Sequence, residues 1–409
     1  MNLRIYREWL TSTLKDRAVW QSLLLFIILR LFLMGWGIVS IAINPINELP
    51  TSQATAYLEQ PILTDGWAGI LLGPWQRFDT MHYTRIAAEG YAHEEDSVFP
   101  PLFPIGIRLL GSLLGGNHTS FMLTAVLIAN AACLGLFILL HRITAQLVGE
   151  EHSLRALIYL ALFPSGFFLF APYTESLFIL LALASIWSAR NGRFIQAGIY
   201  GLFASLTRLT GWVLILPLAY EFWQLHLKDG SWKSNPQTWI RQHTSYLLSI
   251  SFPVVGFLLF VGYRSWIGLP SLPYIYEEYW YQATAVPGTD LLTALKTMFF
   301  GGTARMGEFT LWFDFFCAML LIGATVWIFL ELRPNWGLYS AMLLLFILLP
   351  TSDFKPLYSF SRYTLAFIPL FILLARAGKR PFINRLILYP SLLLYLYFSG
   401  QFFSWGWVA

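Results

Sequence analysis

Apolar residues in this chain come in long blocks rather than at alternate positions. Eleven blocks can be drawn, at 18–44, 120–140, 156–171, 174–189, 197–208, 210–226, 246–264, 310–330, 336–351, 363–376 and 386–405. About 20 apolar residues suffice to cross a bilayer core as a helix. The pattern therefore predicts an all-α integral membrane protein, a polytopic helical bundle of about ten to eleven transmembrane helices, with residues 1–409 as one transmembrane domain. Block 197–208 is short for a span. Pro164, Pro217, Pro253 and Pro369 fall within or near blocks, which membrane helices tolerate when neighbours satisfy the freed backbone groups. The first block is too long for the apolar core of a cleavable signal.

Two long polar stretches interrupt the pattern, at 45–119 and 265–309. Orientation follows from Lys and Arg, which accumulate on the cytoplasmic side. With residues 1–17 inside, the segments 141–155, 190–196, 227–245, 331–335 and 376–385 fall inside as well. Together they hold 16 of the 26 basic residues, and the opposite side holds nine. Both long loops are then outside, as are the C-terminal aromatics Phe402, Phe403, Trp405 and Trp407. Residues 102–115 are apolar but short. Threading them through the membrane would move the Arg142 loop outside and weaken the charge bias, so a membrane-lying helix is expected there.

Composition supports this picture. The chain is 57% hydrophobic and 12% charged, against about 25% charged in soluble domains. A net charge of +4 without basic runs gives no reason to expect a nucleic acid partner. Cys133 and Cys317 sit inside apolar blocks, where neither a metal site nor a disulfide framework is expected.

Candidate chemistry concentrates in the first outer loop, because long loops without a role are uncommon. Residues 73–104 read GPWQRFDTMHYTRIAAEGYAHEEDSVFPPLFP. Asp79, His82, Tyr83 and Ile86 share one face of a helix that Gly90 ends. Asp79 fits two roles, a general base for an acceptor hydroxyl or the N-cap of the helix 80–89. His82 is a ligand or a residue of the amphipathic face. Glu94, Glu95 and Asp96 form an acidic cluster, which reads as a solvated loop. Further polar groups stand at outer membrane edges: Tyr173, Thr174, Glu175 and Ser176, then Thr207, Arg208 and Thr210, then Asp353, Lys355, Arg362 and Tyr363. Each charge could be an interfacial anchor. Taken together, Arg208, Lys355 and Arg362 share a side with Asp79 and suit a phosphate group. Arg30 and Asp314 lie within or at the edge of blocks, as functional groups or as an ion pair.

The run FDTMHYTRIAAEGY with FPPLFP resembles the PIG-V type of GPI mannosyltransferase II and its bacterial relatives. LFPSGFFLFAPYTESLFILL at 162–181, SLTRLTG at 205–211 and SRY at 361–363 continue the resemblance in the family's order. Phe78 stands where the family usually has Trp, and Pro100, Pro101 and Phe103 vary the later part. The resemblance implies a GT-C fold with membrane-lying helices in the first outer loop. It implies transfer of a sugar, mannose being the expected one, from a polyprenyl- or dolichyl-phosphate carrier to a lipid or glycolipid acceptor, with inversion. Asp79 corresponds to the family's catalytic aspartate, and Glu175, Arg208 and Arg362 match other polar motif positions. His82, Tyr83 and Lys355 join these as candidate substrate-binding residues. No P-loop, G-x-G-x-x-G or D-x-D occurs in the chain. No cofactor is expected, and the chemistry requires no metal. The rival expectation is a polytopic lipid or small-molecule transporter, although the chain shows no clear repeat.

Overall fold

The computed structural model describes residues 16–43, 55–228, 230–301 and 308–408. Arg4, Arg7 and Lys15, which carry much of the N-terminal charge argument, lie outside the described residues, as do 44–54 and 302–307 of the long loops. The helices in chain order are α1 (Arg17–Ile43), α2 (Gly66–Leu71), α3 (Asp79–Glu89), α4 (Leu102–Leu113), α5 (His118–Val148) and α6 (Ser153–Ala161). They continue with α7 (Glu175–Arg190), α8 (Phe194–Thr207), α9 (Ile215–Phe222), α10 (Pro236–Trp266), α11 (Leu272–Trp280) and α12 (Thr289–Phe300). The last five are α13 (Glu308–Glu331), α14 (Pro334–Ile347), α15 (Phe360–Tyr363), α16 (Ile368–Ala377) and α17 (Pro381–Phe403).

Five of the eleven apolar blocks are continuous helices long and apolar enough to cross a membrane: α1, α5, α10, α13 and α17. A sixth candidate is the bent pair 360–366 and 368–377, whose halves meet at 79°. The other five blocks fold as shorter or interrupted helices. Block 156–171 gives α6 and then a 3-10 turn at Gly166–Leu169. Block 210–226 gives a 3-10 turn, α9 and a π turn. On the long helices apolar residues face outward as well as inward. Leu24, Ile28 and Leu31 of α1 and Leu258 and Leu259 of α10 are exposed, as suits helices solvated by lipid. The chain is an integral, multi-pass membrane protein.

Close packing of α8 against α10 starts from one proline. Pro253 sits inside α10 and cannot donate to the carbonyl of Ser249, one turn earlier. That carbonyl faces Gly198 so closely that a Cβ there would lie 2.3 Å from it. The Pro253 carbonyl accepts from Ser205 Oγ at 2.6 Å. Small residues let the two backbones meet, and the Ser205 hydroxyl adds a hydrogen bond between them.

The two long loops meet. Trp280 Nε1 donates to the Glu95 carbonyl at 3.2 Å, Tyr279 to Glu94 at 3.1 Å, and Arg264 to Ser97 at 3.0 Å. Arg77 Nε and Nη2 donate to the carbonyl of Phe403 at 3.0 and 2.8 Å, so the end of α17 joins them. A two-residue ladder pairs β1 (Ala283–Thr284) with β2 (Pro350–Thr351). It holds the second loop against the segment that leads into α15. α4 lies across α3 and α5 with Ile105, Leu109, Leu110 and Leu113 exposed, as a membrane-lying helix would.

This shared face predicts a labelling pattern. Cysteines placed at Ala92 and Val286 should react with an impermeant maleimide from one side of sealed vesicles. A cysteine at Lys379 should react from the other. The buried native thiols of Cys133 and Cys317 should stay silent. Reaction of the first two positions from opposite sides would contradict the arrangement.

Candidate active site

α3 begins in an unusual way. Phe78 precedes it with φ 48°, a left-handed conformation costly for an aromatic residue. Its ring is gripped at centroid distances of 5.9, 5.1 and 5.7 Å by Phe402, Trp405 and Trp407. Phe78 takes the N-cap position and contributes no side-chain cap. The hydroxyl of Tyr173 accepts from the Asp79 amide and donates to the Arg77 carbonyl, both at 3.2 Å. The N-cap reading of Asp79 is therefore corrected. Its amide is satisfied from another helix junction, and its carboxylate is left to point elsewhere.

It points at Arg362. Asp79 Oδ2 lies 2.9 Å from Arg362 Nη1. Arg362 Nε stands 3.0 Å from Glu175 Oε1, at ion-pair distance but without hydrogen-bond geometry. The same Glu175 oxygen accepts from Arg208 Nη1 at 2.5 Å. Two carboxylates and two guanidiniums thus form one chain, Asp79–Arg362–Glu175–Arg208. The other Glu175 oxygen is buried and has no hydrogen-bond partner among the described residues. Arg208 is placed by the break after α8, where its backbone is extended and the chain folds back tightly. A Cβ on Gly211 would come within 2.4 Å of the Ser205 backbone. Arg362 lies over the rings of Phe168 and Tyr173 at 5.6 and 5.5 Å.

The chain of charges borders a cavity of about 100 Å³ that Asp79, Tyr83, Arg208, Tyr276, Trp280 and Arg362 help to line. Tyr83 reaches it with its hydroxyl 3.1 Å from Thr174 Oγ1. Burial first, and the nearby Asp79 and Glu175 charges second, raise the Tyr83 phenol above its usual range. It therefore stays neutral, a hydrogen-bonding group rather than a base. Lys355 lines an adjoining recess with Asp290, Ser352 and Tyr358. Its ammonium sits 3.7 Å from the centre of the Trp407 ring and has no ion pair among the described residues. Burial lowers its pKa to about 8 against the upward pull of Asp79.

Some sequence expectations fall elsewhere. His82 is not among the cavity's lining residues. Its Nδ1 is 2.6 Å from Asp96, and its ring packs against Phe99 and Trp280, which do line the cavity. The acidic cluster is solvated only in part: Glu94 is exposed, whereas Glu95 and Asp96 are bound. Asp96 is buried and bound by Arg85 at 2.8 and 2.7 Å, and Glu95 meets the same guanidinium at 2.8 Å. Burial opposes the Asp96 carboxylate, but hydrogen bonds from His82 and Arg85 outweigh it and hold the pKa below the usual range. Arg30 and Asp314 are engaged separately. Arg30 stacks over Trp75 at 4.8 Å, and Asp314 accepts from the Ser361 amide at 2.7 Å. Sequence reasoning missed Tyr276, Trp280 and Gln282 of the second loop and Tyr358. The aromatic density of YIYEEYWYQ, residues 274–282, was the available signal.

Residues 19–268 match the family described as mannosyltransferase (PIG-V). Human GPI alpha-1,6-mannosyltransferase 2 is 29% identical over 152 residues, 36% of this chain and 31% of the human one. The mouse protein of the same name is 25% identical over 242 residues, 55% of this chain and 49% of that one. GPI mannosyltransferase 2 of Yarrowia lipolytica is 27% identical over 160 residues, 37% and 43% of the two chains. The matched stretches thus span less than half of these relatives. Among solved structures, ArnT from Cupriavidus metallidurans bound to undecaprenyl phosphate overlaps at a TM-score of 0.47 with 13% identity. That overlap covers 95% of this chain and 76% of that one. Archaeoglobus fulgidus oligosaccharyltransferase AglB overlaps at 0.43 with 12% identity, over 91% and 56%. A family of transferases leaves the transporter expectation without support. By the match over more than half of its length, the chain belongs to the mannosyltransferase (PIG-V) family.

Proposed function

We propose that this protein is a membrane glycosyltransferase, of mannose in the first instance, that moves a sugar from a polyprenyl- or dolichyl-phosphate carrier to a lipid or glycolipid hydroxyl on the side of its two long loops. One observation carries the reading: the Asp79–Arg362–Glu175–Arg208 chain at the cavity. Its members come from four separate stretches of the chain, and Asp79, Arg208 and Arg362 line the cavity.

The reaction is an in-line displacement. The acceptor oxygen forms a bond to the anomeric carbon as the bond from that carbon to the phosphate oxygen breaks. Asp79 takes the acceptor proton, and the carrier leaves as a lipid phosphate. A base of this kind is worth about 10²–10⁴-fold. The cations meet the charge that develops on the leaving group, a task that requires neither a cofactor nor a metal.

Charge balance adds a condition. In the resting site the two carboxylates neutralise the two arginines, so an incoming phosphate finds no surplus charge there. Opposite charges 4 Å apart attract by about 4 kcal/mol at an effective dielectric of 20. A phosphate therefore competes with Asp79 for Arg362. Lys355, held by ring faces rather than by a carboxylate, supplies the additional positive charge. When the phosphate takes Arg362, Asp79 is freed to accept a proton.

Asp79→Asn tests the base. Asparagine is nearly isosteric, and Arg362 keeps Glu175 as a partner, so the variant should fold and insert normally. Transfer from a short-chain polyprenyl-phosphate sugar should fall by about a hundredfold or more. Near-normal transfer by monodisperse Asn variant would remove Asp79 from the reaction.

Lys355 predicts a pH effect. The residue is charged below about pH 8 and neutral above it. The free enzyme governs kcat/KM, so kcat/KM for the donor should fall as pH rises through about 8. Lys355→Arg should extend the plateau to higher pH, because a guanidinium stays protonated. An unchanged alkaline limb in that variant would sink the assignment.

A further inference from the structure

One wall of the cleft is shared with the recess that holds Lys355. Gln282, Phe346, Tyr358 and Tyr363 line both spaces. Phe346 offers no hydrogen bond, and the ring faces of Tyr363 and Tyr358 carry Arg208 and Lys355 at 5.6 and 5.1 Å. Gln282 has no such duty. Its carboxamide has no hydrogen-bond partner among the described residues, while its backbone is held firmly. Tyr281 ends α11 in a left-handed conformation, φ 55°, and the Gln282 amide donates to the Tyr276 carbonyl at 2.9 Å. Ala283, the next residue, enters the ladder opposite Thr351. Most other polar groups of the cleft are engaged. Asp79, Arg208 and Arg362 belong to the charge chain, Tyr83 meets Thr174, and Thr207 donates to the Phe203 carbonyl at 2.7 Å. A free carboxamide on a fixed backbone is a preorganised hydrogen-bonding group.

We propose that Gln282 reads the 2-hydroxyl of the transferred sugar and so determines which hexose the site accepts. The assignment rests on the transferase reading above, in which the donor phosphate meets Arg362 and Lys355 and the anomeric carbon lies between that phosphate and Asp79. The phosphate is bonded to the anomeric carbon, C1. The ring neighbours of C1 are C2 and the ring oxygen, and of these only C2 bears a hydroxyl. A side chain that faces the phosphate recess and the cleft together therefore meets the 2-hydroxyl before any other. A carboxamide presents a donor and an acceptor side by side and can serve a hydroxyl in both its roles. Mannose and glucose differ only in configuration at C2. A hydroxyl turned the wrong way leaves the carboxamide unpaired, and sites built to hydrogen-bond a hydroxyl discriminate on that ground. Hydrogen bonds to a 2-hydroxyl strengthen as positive charge develops at C1, so the preference shows in turnover as well as in binding.

Donors altered at single positions test this. Short-chain polyprenyl phosphates carrying mannose, glucose, 2-deoxymannose or 4-deoxymannose are each assayed with the wild type and with Gln282→Met, which keeps the side-chain length and removes its hydrogen bonds. Comparing the two proteins on one donor cancels that donor's own reactivity. In the Met variant kcat/KM for the mannose donor should fall about tenfold, the loss of one hydrogen bond that leaves its partner unpaired. For the 2-deoxy donor it should not change, since there is no hydroxyl to lose. The 4-deoxy donor should fall as the mannose donor does, and the ratio of mannose to glucose donor should move toward one. An equal loss on all four donors would make Gln282 a structural residue of its loop and overturn the proposal. A loss that spares the 4-deoxy donor and not the 2-deoxy donor would assign Gln282 to another hydroxyl and also overturn it. Calorimetric titration with the same donors needs no turnover. A wild type that binds the mannose donor more tightly than the 2-deoxy donor, loses that difference in Gln282→Met and yet transfers neither sugar would defeat the transferase mechanism and leave the recognition standing. Equal affinity of the wild type for the two donors would overturn the recognition, whether or not transfer occurs.

Discussion

The contact on which the rest depends is the one between Asp79 and Arg362, 283 positions apart in the chain. Neither charge can be left alone at a site this sheltered, because an unpaired charge out of water costs several kcal/mol. Pairing them fixes the start of α3 against the start of α15, and Glu175 extends the tie to Arg208 at the end of α8. Buried charge networks of this kind add little to stability compared with apolar packing. The reading as catalytic machinery gives the network a reason that stability does not.

The surroundings serve that contact. Phe78 holds a left-handed backbone under three aromatic rings, and Tyr173 satisfies the first amide of α3, so the Asp79 carboxylate is free to face the cavity. Asp290 does similar work on the other side. Its carboxylate accepts from the amides of Ser352 and Leu357 at 3.0 and 2.5 Å, shaping the segment that brings in Lys355. Arg85, Asp96 and His82 fix the wall of Phe99 and Trp280 between the two loops. A rigid shell on packed elements is what a site needs if its charges are to be exchanged rather than rearranged.

Much of this was legible in sequence because it is local. Blocks of apolar residues mark the helices, Gly90 marks the end of α3, and the short apolar run 102–115 marks α4. The polar residues at outer edges, Glu175, Arg208, Lys355 and Arg362, were visible as departures from apolar runs. What sequence hid is non-local. The hydroxyl that relieves Asp79 of capping is 94 positions away, and no spacing rule connects the two. Glu95 and Asp96 looked solvated because their partner, Arg85, meets them only when the loop folds back over α3. His82 looked like a cavity residue by helical phase, yet Asp96 draws its ring behind Phe99. The break after Ala161 was hidden too, since apolar composition continues through it while the backbone does not.

The central claim is that a lipid phosphate and Asp79 compete for Arg362, and that this exchange arms the base. A structure of the protein with a short-chain polyprenyl phosphate bound tests it most directly. The account predicts the phosphate within hydrogen-bond distance of Arg362, with Lys355 turned toward it and the Asp79 carboxylate released into the cavity. A phosphate bound elsewhere, with the 2.9 Å contact between Asp79 and Arg362 intact, would contradict it.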